Sequence, residues 1–183
     1  MKKIELRELI FCAILAALGA IFSAYLSVEI PSGGSKLIEM SLAPVFVMLA
    51  GIAFGPLLGG MVGFVADIAG FFMGVQHGAY NPVFSFTMAL FGVIAGLFFL
   101  KNKKVKWYKV LLITVIAQAV CSVGLNTWAI RFFYAKGVPF KALLVPRAIA
   151  AGIEVPIYFV LLFALAASLI AIMSKSMRQK SIE

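Results

Sequence analysis

Apolar residues fill this chain in long blocks, broken by short clusters of polar residues, glycine and proline, and no block keeps the ten-residue alternation of a barrel strand. Six blocks stand out, over about 8–28, 40–54, 57–75, 82–100, 110–130 and 143–173. A helix of about 20 apolar residues crosses a hydrocarbon layer of about 30 Å. The pattern therefore predicts an all-α membrane protein, a six-transmembrane-helix bundle making one integral membrane domain over residues 1–183.

The breaks have their own chemistry. Glu29 to Glu39 mixes Pro31, Gly33, Gly34 and charge, which predicts a loop outside the hydrocarbon, either a solvated connector or a lid over a pocket. Gly55-Pro56 reads as a tight uncharged turn, because proline disfavours a helical residue before it. Gln76 to Pro82 forms a polar turn that leads into the fourth block, where proline suits the first helical turn. Lys101 to Lys109 is a basic connector with Trp107 and Tyr108 at headgroup depth, and Pro156 marks a kink in the last block.

Composition sharpens the class. Of 183 residues, 63% are hydrophobic and only 13% charged, with a mean hydropathy of +1.08, far from a soluble domain. The net charge of +9 implies contact with anionic headgroups rather than nucleic acid, because the basic residues flank the apolar blocks. Eleven of the 16 lysines and arginines fall at the two termini and in the 101–109 connector, so both termini are expected in the cytoplasm. Lys2, Lys3 and Arg7 precede the first block as in a secretory leader, yet that block runs about 20 residues and more follow, so it is expected to be retained.

Candidate chemistry is concentrated in few residues. Asp67 lies inside an apolar block, where a carboxylate costs a few kcal/mol and must face a partner, a cavity or water. Tyr80 and Asn81, in the turn beyond it, offer stacking and paired hydrogen bonds, although a tyrosine there also serves as an interfacial anchor. Arg147 carries a rigid fork suited to a carboxylate or an electron-rich heterocycle, with snorkelling as the plainer role. Glu154 follows seven residues later on the same helical face.

Other chemistries find no footing. His77 is the only histidine and has no second ligand near it, so no metal site is expected. Cys12 and Cys121 sit in apolar blocks and read as buried thiols. No phosphate loop, HExxH or GxSxG motif occurs, so no enzyme is expected, and no cofactor. Ala13/Ala17 and Ala16/Ala20 form small-xxx-small pairs, a face for packing within the bundle or for docking a separate membrane subunit.

The segments Ala66-Asp67-Ile68-Ala69-Gly70, Gly78-Ala79-Tyr80-Asn81-Pro82, Leu125-Asn126-Thr127-Trp128 and Pro146-Arg147, in that order, resemble the S components of energy-coupling-factor vitamin transporters, specifically the folate family. That resemblance covers nearly the whole chain. It implies a subunit in the bacterial plasma membrane that captures a vitamin from outside and works with a shared transmembrane coupling subunit and two ATPase subunits, which alone use ATP. It places Asp67, Tyr80, Asn126, Trp128 and Arg147 in the pocket, and Asn81, Phe84, Arg131, Glu154 and Lys36 complete the candidate substrate-binding set. It also makes loop 29–39 the lid and Ala13, Ala16, Ala17 and Ala20 the docking face. The implied substrate is folate or a related heterocyclic vitamin, with pyridoxine, hydroxymethylpyrimidine and pantothenate as alternatives. A solitary proton-coupled carrier is the rival outside the family.

Overall fold

The computed structural model describes residues 5–32, 35–74, 80–100, 105–133 and 139–179, with side chains for all of these except 28–39 and 170–179. The helices are α1 (Leu6–Tyr25), α2 (Ala43–Phe54), α3 (Pro56–Met73), α4 (Pro82–Phe99), α5 (Trp107–Ala117), a π-helical segment (Gln118–Asn126), α6 (Thr127–Phe133) and α7 (Phe140–Gln179). The six expected blocks thus become helical, with the fifth divided into α5, the π-helical segment and α6.

Of the segment 29–39, expected as a loop, residues 29–32 and 35–39 lie instead in an antiparallel ribbon of β1 (Val28–Ser32) and β2 (Ser35–Met40), in which Glu29 pairs with Glu39 and Ile30 with Ile38. Isoleucine and valine at strand spacing outweigh the loop signal of Pro31, which sits where the register shifts. The Lys36 backbone belongs to β2.

Local chemistry fixes the helix ends. The Glu5 backbone N–H donates to the Glu8 carboxylate at 3.4 Å, half of a capping box that starts α1. Asn81 caps α4, its Oδ1 accepting from the Val83 N–H at 3.1 Å, and Pro82 fills the first helical position. Gly55 turns the chain between α2 and α3 at φ 99°, a conformation that other residues rarely adopt.

α2 is apolar all round and almost wholly buried, as expected of the central helix of a bundle. It packs on α1, α3, α4 and α7. Glycines let three backbones meet: a Cβ on Gly59 would lie 2.6 Å from the Gly51 Cα and 2.8 Å from the Gly92 carbonyl oxygen.

Length decides where a site can form. Among the described residues five helical stretches are long and apolar enough to cross a membrane, whereas Ala43–Phe54 is shorter. At 1.5 Å per residue α2 rises about 18 Å and α3 about 27 Å from their common turn at Gly55. The far end of α2 therefore stops about 9 Å short of its neighbour's, inside the bundle, and β2, which packs on α7, leads down to it. The sequence pattern had extended this block to residue 40, where the chain is strand.

α1 divides the expected docking face. Ala16 and Ala20 are buried, with the Ala20 carbonyl against Gly70 of α3, while Ala13 and Ala17 remain exposed. Two residues four apart share a face, but the pairs are offset by three residues, which turns the second pair into the bundle. Ala20 packs on α3 and Ala16 is buried in the core of the bundle, a correction to their assignment as docking residues.

Candidate functional site

α7 presents one buried stripe, Leu143, Arg147, Ala150, Ala151, Glu154, Tyr158, Leu162 and Ala166, recurring every three or four residues. Its lower half, Leu162 and Ala166, is apolar and joins the core around α2. Its upper half carries the two buried charges, Arg147 and Glu154, among Leu143, Ala150 and Ala151, and Tyr158 marks the changeover by donating to the carbonyl of Ser41 just before α2. Glu154 and Arg147 stand one and three turns above Tyr158, beyond the end of α2.

The wall facing them is the π-helical segment. A π-helix has a wider turn and recurs at functional sites. Gln118 Nε2 donates to Glu154 Oε2 at 2.6 Å, and Arg147 Nη1 donates to the Ser122 carbonyl at 3.3 Å. Charge-assisted bonds of this kind are the strong ones in an apolar surrounding. Gln118, Arg147 and Glu154 are all buried.

Three further oxygens on this wall are buried with no hydrogen-bond partner among the described residues: Gln118 Oε1, Asn126 Oδ1 and Thr127 Oγ1. An acceptor left dry costs about 1–3 kcal/mol, so three within ten residues of one helical stretch require donors from elsewhere.

The second polar group lies between α3 and α4. Asp67 stands one turn beyond Gly63, the glycine packed against Val47 of α2 and Met88 of α4. Its Oδ2 accepts from Ser85 Oγ at 2.6 Å, and Tyr80 Oη lies 2.6 Å from the same Ser85 oxygen. The Tyr80 ring meets Phe71 edge-on at 5.2 Å and stacks with Phe72 at 6.3 Å. α4 itself packs on the π-helical segment, and Phe84 packs on Ile130 and Leu143, so one aromatic side chain ties α4 to α6 and α7.

The expected residues therefore divide. Asp67 and Tyr80 come together through Ser85, Arg147 and Glu154 lie on the buried stripe of α7, and Asn126 ends the π-helical segment that both of them bond. Asn81 is buried with its carbonyl oxygen engaged in capping α4. Trp128 is exposed and stacks on Phe132 at 5.6 Å, and Arg131, also exposed, lies over the Phe140 ring at 5.9 Å. The Lys36 side chain and His77 lie outside the description. Sequence reasoning passed over Ser85, Ser122, Thr127 and Tyr158 and left Gln118 out of the set. A glutamine in mid-span and a tyrosine one turn after Glu154 were the available signals.

An apolar groove of about 380 Å³ runs along the far flank of α3 and α4, lined by Leu57, Met61, Phe64, Val65, Phe86 and Val93 among others. None of the polar candidates borders it. Among the described residues no group of three or more histidine, cysteine or acidic side chains could hold a metal ion.

Comparison with known proteins matches residues 7–166 to the family described as "ECF transporter, substrate-specific component". The chain is 32% identical over 163 residues to the folate transporter FolT of Clostridium novyi, spanning 89% of this chain and 88% of that one. It is 28% identical over 158 residues to FolT of Leuconostoc mesenteroides, spanning 85% and 82%. Among solved structures it is similar to a FolT crystal structure with folic acid bound, with TM-score 0.76 and 24% identity over 90% of this chain and 95% of that one. A second similar structure, of the S component of a bacterial ECF transporter, gives TM-score 0.60 and 23% identity over 90% and 97%.

Proposed function

We propose, for a chain that belongs to the substrate-specific components of energy-coupling-factor transporters, that its task is to capture folate or a closely related heterocyclic vitamin at the ribbon end of the bundle. A member of this family is a multi-pass membrane transporter component and not an enzyme, and it partners with an energy-coupling-factor module. The relatives at 32% and 28% identity are named folate transporters, and one similar structure carries folic acid.

The observation that carries the folate reading is the acceptor-rich wall. Gln118 Oε1, Asn126 Oδ1 and Thr127 Oγ1, with the Glu154 carboxylate bonded to Gln118, ask for a ligand rich in N–H donors. The amino and ring N–H groups of a pterin supply them. Arg147, already oriented by Ser122, adds a cationic fork for a carbonyl or carboxylate oxygen. Tyr80 and Phe84 supply aromatic surface from the α4 side, and Trp128 and Arg131 form the rim.

In this reading the β1–β2 ribbon covers the space above α2. The termini and the 101–109 connector lie in the cytoplasm, which puts the ribbon outside the cell. The chain holds no cofactor. Two ATPase subunits and a shared transmembrane subunit supply the energy, with Ala13 and Ala17 facing that subunit.

Titration of the purified protein with folate and a panel of other vitamins, followed by tryptophan fluorescence, tests the assignment. Folate is expected to bind with the highest affinity. Tight binding of pyridoxine, hydroxymethylpyrimidine or pantothenate in place of folate would reassign the substrate, and binding of none would remove the reading.

A further inference from the structure

We propose that Asp67 and Ser85 are positioning residues, which act on the ligand by fixing the hydroxyl and ring of Tyr80 rather than by touching the ligand. The inference rests on the vitamin-capture reading and assigns the α3–α4 polar group a part in it.

The direction of the hydrogen bonds carries the argument. A serine hydroxyl has a single proton. Ser85 gives that proton to Asp67 Oδ2 at 2.6 Å, so its lone pairs are left to accept. Tyr80 Oη, also at 2.6 Å, is therefore the donor, and the order runs Tyr80 to Ser85 to Asp67. Ser85 is fully buried, so solvent cannot substitute for either partner. Coupled bonds in such a setting strengthen one another and hold one geometry.

The ring is held as firmly as the hydroxyl. Phe71 meets it edge-on and Phe72 stacks with it, and Asn81, the next residue, is committed to capping α4. Tyr80 is thus restrained at its hydroxyl, at its ring and at its backbone neighbour. Asp67 is the fixed end of this arrangement, seated on α3 within the most extensive helix pairing in the bundle. An aromatic held in one orientation binds a planar ligand without losing rotamer freedom on binding.

The test is folate affinity and unliganded thermal stability of single and double variants. Ser85→Ala removes the link while leaving Asp67 and Tyr80 present, and is expected to weaken folate binding about tenfold. Ser85→Thr, which keeps a hydroxyl at the same place, is expected to bind within about threefold of the unmodified protein. Tyr80→Phe and Asp67→Asn, each added to Ser85→Ala, are expected to cause little further loss, because the hydroxyl and the carboxylate act only through the link.

Unmodified affinity in Ser85→Ala would overturn the relay while leaving the folate reading intact. A further tenfold loss from Asp67→Asn in the Ser85→Ala background would overturn it too, by making Asp67 a direct ligand contact. Affinity loss in Ser85→Ala that Ser85→Thr fails to restore would show a packing role and also overturn it. Failure of the unmodified protein to bind any vitamin would remove the functional reading itself.

Discussion

Tyr158 of α7 donates its hydroxyl proton to the main-chain carbonyl of Ser41, joining positions 117 apart in sequence where β2 gives way to α2. The bond fixes the depth at which the central helix begins. The two buried charged residues of α7, Glu154 and Arg147, lie above it, and the buried apolar Leu162 and Ala166 lie below. Tyr158→Phe keeps the ring and removes the donor, leaving a buried carbonyl unmet. Thermal unfolding in detergent is expected to show a loss of about 1–3 kcal/mol; an unchanged transition would mean that Ser41 finds another donor.

Arg147 and Glu154 should separate by chemistry. Arg147→Ala is expected to cost about 1–3 kcal/mol of folate binding. Arg147→Lys should recover little of it, because an ammonium cannot present two parallel N–H groups. Isothermal titration of the three proteins checks this, and full recovery by lysine would reduce the fork to a point charge.

Glu154→Gln keeps the shape and a partner for Gln118 but removes the carboxylate from the acceptor wall. Folate affinity is expected to fall by about tenfold while thermal stability falls by less than about 1 kcal/mol. Glu154→Leu, which strands the Gln118 amide in an apolar surrounding, should lower stability by about 1–3 kcal/mol as well.

The glycine seam predicts opposite outcomes at two glycines. Gly92→Leu places a side chain where the α3 backbone at Gly59 already lies, so α2, α3 and α4 must separate, and the expected outcome is loss of folded protein on size-exclusion chromatography. Gly152→Ala meets nothing within 4 Å, and in a helix interior it should raise stability by about 0.5–1 kcal/mol.

The two halves of the α1 small-residue face should also diverge. Ala17→Leu adds bulk on the exposed side and is expected to leave folate binding intact while lowering ATP-driven uptake in liposomes that contain the partner subunits. Ala20→Leu drives three more carbons into the α1–α3 contact and should cost about 1–3 kcal/mol of stability. Equal uptake by Ala17→Leu and the unmodified protein would place docking elsewhere.

What the sequence by itself determined follows from local rules. Block length and hydropathy set the helices to within a few residues, because a segment in hydrocarbon must satisfy its backbone internally wherever it lies. Proline and glycine marked the turns at Gly55-Pro56 and Asn81-Pro82, where backbone geometry is a property of those residues. Asp67, Arg147 and Glu154 stood out because charge is costly in an apolar block. Tertiary structure decided the rest. The strands at 28–32 and 35–40 exist only by pairing with each other, the π-helical turn at Gln118 has no composition of its own, and Ser85, Thr127 and Tyr158 become special only through what packs against them. Which alanines of α1 face outward, and that α2 stops short beneath the polar wall, depend on the seating of one helix against another, a relation between distant residues that no local pattern encodes.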